Sequence, residues 1–88
     1  AYEPIWAIGT DQAATPDQVK DMHIAIRREL EEIDPSNGPQ HRLLYGGSMQ
    51  AANASTLLSI DEVDGGLIGG ASLDMGEFLG IIAKAGEQ

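Results

Sequence analysis

Three short segments carry residue types that could do chemistry together. Glu3 is followed at once by Pro4, and because proline disfavours the helical conformation in the residue before it, Glu3 is predicted at the end of an extended segment. Gly46-Gly47-Ser48 and Gly69-Gly70 each follow a short apolar run and precede a predicted helix. Glycines let a backbone approach a ligand closely, and free N–H groups at a helix start attract anions. The combination points to an anion such as a phosphate, held by main-chain amides on the same face as a carboxylate.

The segment after Glu3 has the composition of a lid. Ile5-Trp6-Ala7-Ile8 is an apolar run without a helix start signal, and it ends at Gly9-Thr10. An apolar loop that begins with a rigid proline and ends at a glycine can fold over a site and exclude water from it. Trp6 is equally compatible with a place in the core.

The segments that position these residues alternate between helix and strand. A helix is predicted from the Thr15 cap, with Pro16 at its first position and Gln18 completing a capping box, to Glu32–Asp34. Its apolar residues recur at helical spacing, at Val19, Met22, Ile26 and Leu30.

Two buried strands and two further helices follow. The strands are predicted at Arg42–Tyr45 and at Leu67-Ile68. A helix is predicted from Ala51 or Ala52 to Leu58, with Leu57 and Leu58 facing the core, and another opens at Ala71–Asp74 and ends near Ala83 or Lys84. Alternating strands and helices predict an α/β fold of parallel βα units, in which the loops after the strands share one face.

Simpler explanations apply to each residue taken alone. Paired glycines can merely close tight turns, and an isolated glutamate after a strand is usually solvated or salt-bridged. His23 and His41 are expected to be structural or solvated, and no metal-ligand spacing occurs. The sequence therefore predicts no metal site.

Composition excludes several classes of function. The 88 residues carry a net charge of −9 and no cysteine, which argues against binding to nucleic acid or an anionic membrane through a basic patch, and against disulfides. No signal-peptide pattern or long apolar run occurs. One domain is predicted over residues 1–88. The lack of cysteine is compatible with a location in the cytoplasm.

Three motifs resemble the triosephosphate isomerase family: Ala1 to Thr10, Leu44-Tyr45-Gly46-Gly47-Ser48, and Gly65 to Leu73. The resemblance implies a partial TIM barrel made of the last three βα units. In that family the glutamate of the first motif is the catalytic base, which implies that Glu3 removes a proton beside the carbonyl of a triose phosphate. The other implied roles are phosphate binding by Gly9, Ser48, Gly69 and Gly70, and lid association for Pro4, Trp6 and Tyr45, with Tyr45 hydrogen-bonded to the closed lid. No cofactor is implied.

The chain departs from the family in two respects. Asp11-Gln12-Ala13 stands where the family usually has Gly-Lys and a small residue, and this affects the expected closure of the lid. The family's electrophilic His and its active-site Lys and Asn come from earlier strands, so no residue here takes those roles. Little or no activity is expected from the chain alone.

Two other hypotheses stay open at this stage. The chain could be a non-catalytic phosphate-binding or self-assembling module, or part of an isomerase built from complementing fragments. Expected ligands are a triose phosphate or inorganic phosphate or sulfate. Open strand edges of a partial barrel also predict association with further copies of the chain.

Overall fold

The protein is described by a computed structural model that covers residues 1–9 and 12–88. The described helices are α1 (Pro16–Ile33), α2 (Ala51–Leu58) and α3 (Met75–Ala85), and the strands are β1 (Leu44–Tyr45) and β2 (Gly65–Gly66). Short 3₁₀ turns lie at Ile5–Ala7, Gly38–Gln40 and Gly70–Leu73.

Helix α1 begins where its capping signals predict. The Thr15 hydroxyl oxygen accepts a hydrogen bond from the Gln18 amide at 3.2 Å, and the Thr15 amide donates to the Gln18 side chain at 2.9 Å. Asp17 lies in the first turn, where a negative charge complements the helix dipole. The predicted capping box and the predicted end of the helix are both confirmed.

The buried face of α1 differs from the predicted apolar stripe. Val19 and His23 are both fully buried, whereas Met22 is 41 % exposed. Residues four apart lie on one face of a helix, so His23 packs beside Val19. Its Nδ1 lies 2.9 Å from the Glu62 carbonyl oxygen, which satisfies one ring nitrogen, while Nε2 is buried without a hydrogen-bond partner among the described residues. Of the two expectations for His23, structural or solvated, the structure shows the first; Met22 belongs to the predicted apolar stripe but lies on the exposed side.

The described strands form a small parallel sheet with β1 in the middle. β1 pairs with β2 in the register Leu44 to Gly65 and Tyr45 to Gly66. On its other side, Tyr2 forms a parallel bridge to Tyr45. All three extended segments therefore run in the same direction, and the loops that follow them lie on one face.

Three predicted boundaries need correction. The second strand lies at Gly65–Gly66, not at Leu67-Ile68; the apolar run extends beyond the pairing, although the Leu67 amide still donates to the Tyr45 carbonyl oxygen at 2.9 Å. The first strand is shorter than Arg42–Tyr45. The last helix begins at Met75 rather than at Ala71, because Asp74 caps it by accepting from the Glu77 amide at 3.0 Å.

The core lies between the sheet and the helices. Its buried cluster includes Tyr45, Leu57, Leu58 and Ile81, with Val19 joining it from α1. The predicted inward orientation of Leu57 and Leu58 is confirmed.

Arg27 ties α1 to the loops before both strands. Its Nε contacts Glu62 Oε2 at 2.8 Å and its Nη2 contacts Asp64 Oδ2 at 3.1 Å. Nη1 donates to the carbonyl oxygens of Gly38 at 2.8 Å and His41 at 2.6 Å. The hydrogen bond to Glu62 is the main reason that the pKa of Arg27 is raised. This clamp fixes the segments that lead into the sheet.

Part of the apolar surface stays open. Leu73 is 91 % exposed and Met75 is 78 % exposed. Leu79, Ile82 and Leu67 are also exposed. Within residues 1–9 and 12–88, no helix has both the length and the apolar character needed to cross a membrane.

Candidate active site

An open pocket of about 410 Å³ lies among the loops that follow the three extended segments. The segments that contribute to its lining are Ala7–Gly9, Gly46–Gln50, Gly69–Ala71 and Glu77. The structure therefore brings Gly9, Ser48, Gly69 and Gly70 together, although they lie up to 61 positions apart in the sequence (70 − 9). Their role in holding phosphate stays a prediction.

The first glycine pair is explained by packing. A Cβ at Gly46 would lie 2.7 Å from the Cγ of Glu3, and a Cβ at Gly47 would overlap the hydroxyl of Tyr45. Gly47 has no room for a side chain, and a side chain at Gly46 would have to push the Glu3 side chain aside. Gly47 is thus required by the close approach of the buried Tyr45 ring, whereas a side chain at Gly46 would displace the exposed side chain of Glu3.

The second glycine pair has no such packing reason. A Cβ at Gly69 or at Gly70 would meet no atom within 4 Å. Both residues line the pocket. No side-chain clash requires glycine at these positions, and the open space there is compatible with an approach of a ligand to the backbone.

Glu3 lies beside this pocket. Its side chain runs along Gly46, with Oε1 3.5 Å from the position that a Gly46 Cβ would take. Glu3 is exposed, so the carboxylate can reach solvent or a ligand. Gly46 lines the pocket and Glu3 does not, so the Glu3 carboxyl group lies next to a lining residue.

The segment predicted as a lid forms one wall. Pro4 and Ala7 are buried, while Ile5 is 85 % exposed and Trp6 is 47 % exposed. Residues 5–7 form a 3₁₀ turn closed by a hydrogen bond from the Ala7 amide to the Pro4 carbonyl oxygen at 2.9 Å. Gly9 then takes a φ of +67°, a conformation that favours glycine. Thr10 and Asp11, which include part of the departure from the family motif, lie outside the described residues.

Tyr45 of β1 contacts the chain at Ala14, between the predicted lid and α1. Its side chain is fully buried, and its hydroxyl oxygen accepts a hydrogen bond from the Ala14 amide at 3.3 Å. Burial raises the pKa of Tyr45 because the charged phenolate would be desolvated. Tyr45 is therefore hydrogen-bonded to the residue that directly precedes Thr15, the N-cap of α1.

Glu77 is a pocket residue that the sequence motifs do not identify. It lies in the first turn of α3 and its Oε2 accepts from the Ala51 amide at 2.8 Å. Among the described residues that line the pocket, none is Lys or Arg. Glu77 reaches the pocket because α3 packs on α2. No local sequence pattern predicts its contact with Ala51.

Comparisons with known proteins agree with this architecture. A sequence profile of the triosephosphate isomerase family matches residues 1–85. The chain is 52 % identical over 85 residues to the triosephosphate isomerases of Shewanella sp. (strain W3-18-1) and Shewanella amazonensis, covering 97 % of this chain and 33 % of each relative. It also resembles the crystal structure of triosephosphate isomerase from Bartonella henselae, with a TM-score of 0.83 and 42 % identity, over 94 % of this chain and 32 % of that one.

The chain thus spans about a third of the length of the curated relatives it matches. The small parallel sheet and its three helices form an open, incomplete α/β portion of the TIM-barrel fold. These comparisons do not favour the non-catalytic module considered from the sequence. Over nearly its whole length, the chain belongs to the triosephosphate isomerase family.

Proposed function

We propose that this chain supplies the general base and the phosphate pocket for the interconversion of glyceraldehyde 3-phosphate and dihydroxyacetone phosphate, a step of glycolysis and gluconeogenesis. The single observation that supports this most strongly is the convergence of separate loops on one pocket. Gly9, Ser48 and Gly69-Gly70 line it, and Glu3 lies against its Gly46 edge.

In this proposal the main chain binds the substrate phosphate. The pocket's described lining holds no Lys or Arg, so we assign the phosphate to N–H groups near Gly9, Gly69 and Gly70 and to the Ser48 hydroxyl. Backbone N–H groups in tight turns form anion-binding concavities. The open space over Gly69 and Gly70 allows the phosphate oxygens to reach these donors.

Glu3 then acts as the proton-transferring group. With the phosphate fixed, the carboxylate removes a proton from the carbon next to the substrate carbonyl, giving an enediolate, and returns it to the former carbonyl carbon. The hydroxyl proton passes from one substrate oxygen to the other at the partner segment's electrophile, and the isomer results. General-base catalysis of this kind typically contributes about 10²–10⁴ in rate. The apolar wall formed by Ala7 and Ile8 excludes water from one side of the reacting atoms.

The electrophile that polarises the carbonyl is assigned to a partner segment. Loss of one preorganised electrostatic group typically costs about 10²–10³ in rate. The isolated chain is therefore proposed to have little activity, and to gain activity when a second polypeptide provides the remaining part of the barrel. A cytoplasmic location and association with further copies of the chain belong to the same proposal.

The test is a coupled assay of dihydroxyacetone phosphate conversion. The chain is assayed alone and mixed with the part of the Shewanella amazonensis relative that the chain does not match. We expect activity in the mixture well above that of either component, and loss of that activity in Glu3→Gln.

Glu31→Gln is the matched control, because Glu31 is an exposed residue of α1. This variant makes the same change in charge and should keep the activity of the mixture. Activity that survives Glu3→Gln would overturn the assignment of the base. A mixture that forms a complex, binds inorganic phosphate and still shows no turnover would favour a non-catalytic phosphate-binding protein.

A further inference from the structure

Glu77 places a carboxylate in a pocket that is proposed to bind an anion. It lines the pocket and is partly buried. Its position is fixed at two points, since its amide donates to Asp74 Oδ1 at 3.0 Å and its Oε2 accepts from the Ala51 amide at 2.8 Å. The main chain and the carboxylate of Glu77 are thus each held by a hydrogen bond.

The Ala51 amide is the donor at the first residue of α2, directly after the loop that contains Ser48. The first amides of a helix have no partner within the helix and are available to anions. Here Glu77 accepts from Ala51, and Asn53 Oδ1 accepts from the Gln50 amide at 2.7 Å. Both donors are therefore satisfied by side chains of the protein.

Close packing of the two helices makes this contact possible. A Cβ at Gly80 would lie 2.8 Å from the Cβ of Ala51. The missing side chain at Gly80 allows α3 to approach the first turn of α2, and Glu77, three residues earlier on α3, then reaches the Ala51 amide. The contact follows from the packing of the helices.

We infer that Glu77 is a specificity-determining residue of this pocket: its carboxylate occupies the Ala51 amide and repels anions there, so that a phosphate binds at Gly69-Gly70 and not at the start of α2. The inference rests on the proposed function, because it assigns the orientation of a phosphate within that same pocket. It also means that the net affinity for phosphate is set partly by repulsion.

The charge of Glu77 and its hydrogen bond have separable effects. Gln at position 77 keeps an oxygen that accepts from Ala51 but removes the negative charge. Ala at position 77 removes both. Like charges within one pocket repel, so removing the charge of Glu77 is expected to strengthen phosphate binding by about tenfold, and added salt reduces this effect.

The experiment is a titration of the ¹⁵N-labelled 88-residue chain with inorganic phosphate at low salt, followed by amide chemical shifts. In the unmodified chain, we expect phosphate to shift the amides of Gly69 and Gly70 and to leave Ala51 unchanged. Glu77→Gln should bind about tenfold more tightly with the same pattern of shifts. Glu77→Ala should add a phosphate-dependent shift at Ala51. Glu31→Gln, on the exposed surface of α1, should bind as the unmodified chain does.

Each alternative outcome has a distinct meaning. A shift at Ala51 in the unmodified chain, or unchanged affinity in Glu77→Gln, would overturn the role of Glu77 and leave the phosphate pocket intact. If Glu77→Ala does not fold, the affinity of Glu77→Gln decides the question by itself. No shift at Gly69 or Gly70 in any variant would overturn the phosphate pocket, and the inference with it.

Discussion

The hydroxyl of Tyr45 accepts a hydrogen bond from the Ala14 amide across 31 positions of sequence, at 3.3 Å. Ala14 is buried, so its N–H has no access to water if the hydroxyl is removed. We expect Tyr45→Phe to lower the free energy of unfolding by about 1–2 kcal/mol, because a buried donor is left without a partner. Urea denaturation measures this loss. Tyr2→Phe, at a half-buried tyrosine whose ring packs edge-on against His23, is the control and should have a smaller effect.

Tyr45 also predicts a dependence of stability on alkaline pH. Burial raises the pKa of Tyr45 in the folded state, while the unfolded tyrosine titrates near about 10. Below that pH both states are protonated and the contribution of the neutral hydroxyl is complete. Above it the unfolded state loses its proton first, so stability falls as the pH rises through the folded-state pKa. We expect the free energy of unfolding to fall more steeply above about pH 10 in the unmodified chain than in Tyr45→Phe. Equal slopes would contradict this assignment.

Arg27 is expected to be the most important cation for stability among the described residues. Its side chain is 11 % exposed and contacts Glu62, Asp64 and two carbonyl oxygens. Arg27→Lys keeps the charge but cannot reproduce the planar set of donors, and we expect a loss of about 2–3 kcal/mol in the free energy of unfolding. Arg28→Lys, at the exposed neighbouring residue, should change it by less than about 0.5 kcal/mol. Similar effects of the two substitutions would argue against the clamp.

The two glycine pairs should respond oppositely to alanine. Gly47→Ala forces a Cβ into the Tyr45 ring, and overpacking of this kind typically costs about 1–3 kcal/mol. Gly70→Ala adds a methyl group in open space, so stability should change by no more than about 1 kcal/mol while binding of inorganic phosphate is lost. Denaturation and calorimetric titration measure the two properties. Gly76→Ala, in the first turn of α3 and not part of the pocket lining, should change neither property strongly. Unaltered phosphate binding in Gly70→Ala would contradict the proposed donors.

The open edges of the sheet and the exposed apolar residues of α3 predict association with a second copy of the chain. Leu79 and Ile82 of α3 are 57 % and 50 % exposed, and burial of such surface favours association. The net charge of −9 opposes it, so we expect association to increase with salt. Light scattering at micromolar concentration should give a mass above the 9.3 kDa of one chain, reduced by Leu79→Glu but not by Ile33→Glu on α1. A stable, folded monomer would contradict this prediction.

The sequence predicted the helices better than the strands. The Thr15 capping box and the spacing of Val19, Ile26 and Leu30 placed α1 correctly, because capping and periodicity are local properties. The second strand was placed on Leu67-Ile68 since apolar runs are typical of buried strands, but pairing occurs at Gly65–Gly66. Main-chain pairing in a parallel sheet depends on the neighbouring strand, and glycines that pair leave no apolar signal.

Some features of the candidate site were likewise predicted from the sequence, and others required the structure. The convergence of Gly9, Ser48 and Gly69-Gly70 followed from their motifs and from the rule that loops after parallel strands share a face. The packing role of Gly46 and Gly47 required the positions of Glu3 and Tyr45, which only coordinates provide. Glu77 could not be predicted, because its contact with Ala51 depends on how closely α2 and α3 approach.

The central place of β1 makes the two halves of the pocket interdependent. The Gly46 amide donates to the Tyr2 carbonyl oxygen at 2.7 Å, and the Tyr45 carbonyl oxygen accepts from the Leu67 amide at 2.9 Å. Adjacent residues thus set the alignment of both flanking segments. A one-residue slip of β1 would shift the carboxylate-bearing turn and the Gly69-Gly70 turn together. Misregistered chains should therefore lack both functions at once rather than retain either by itself.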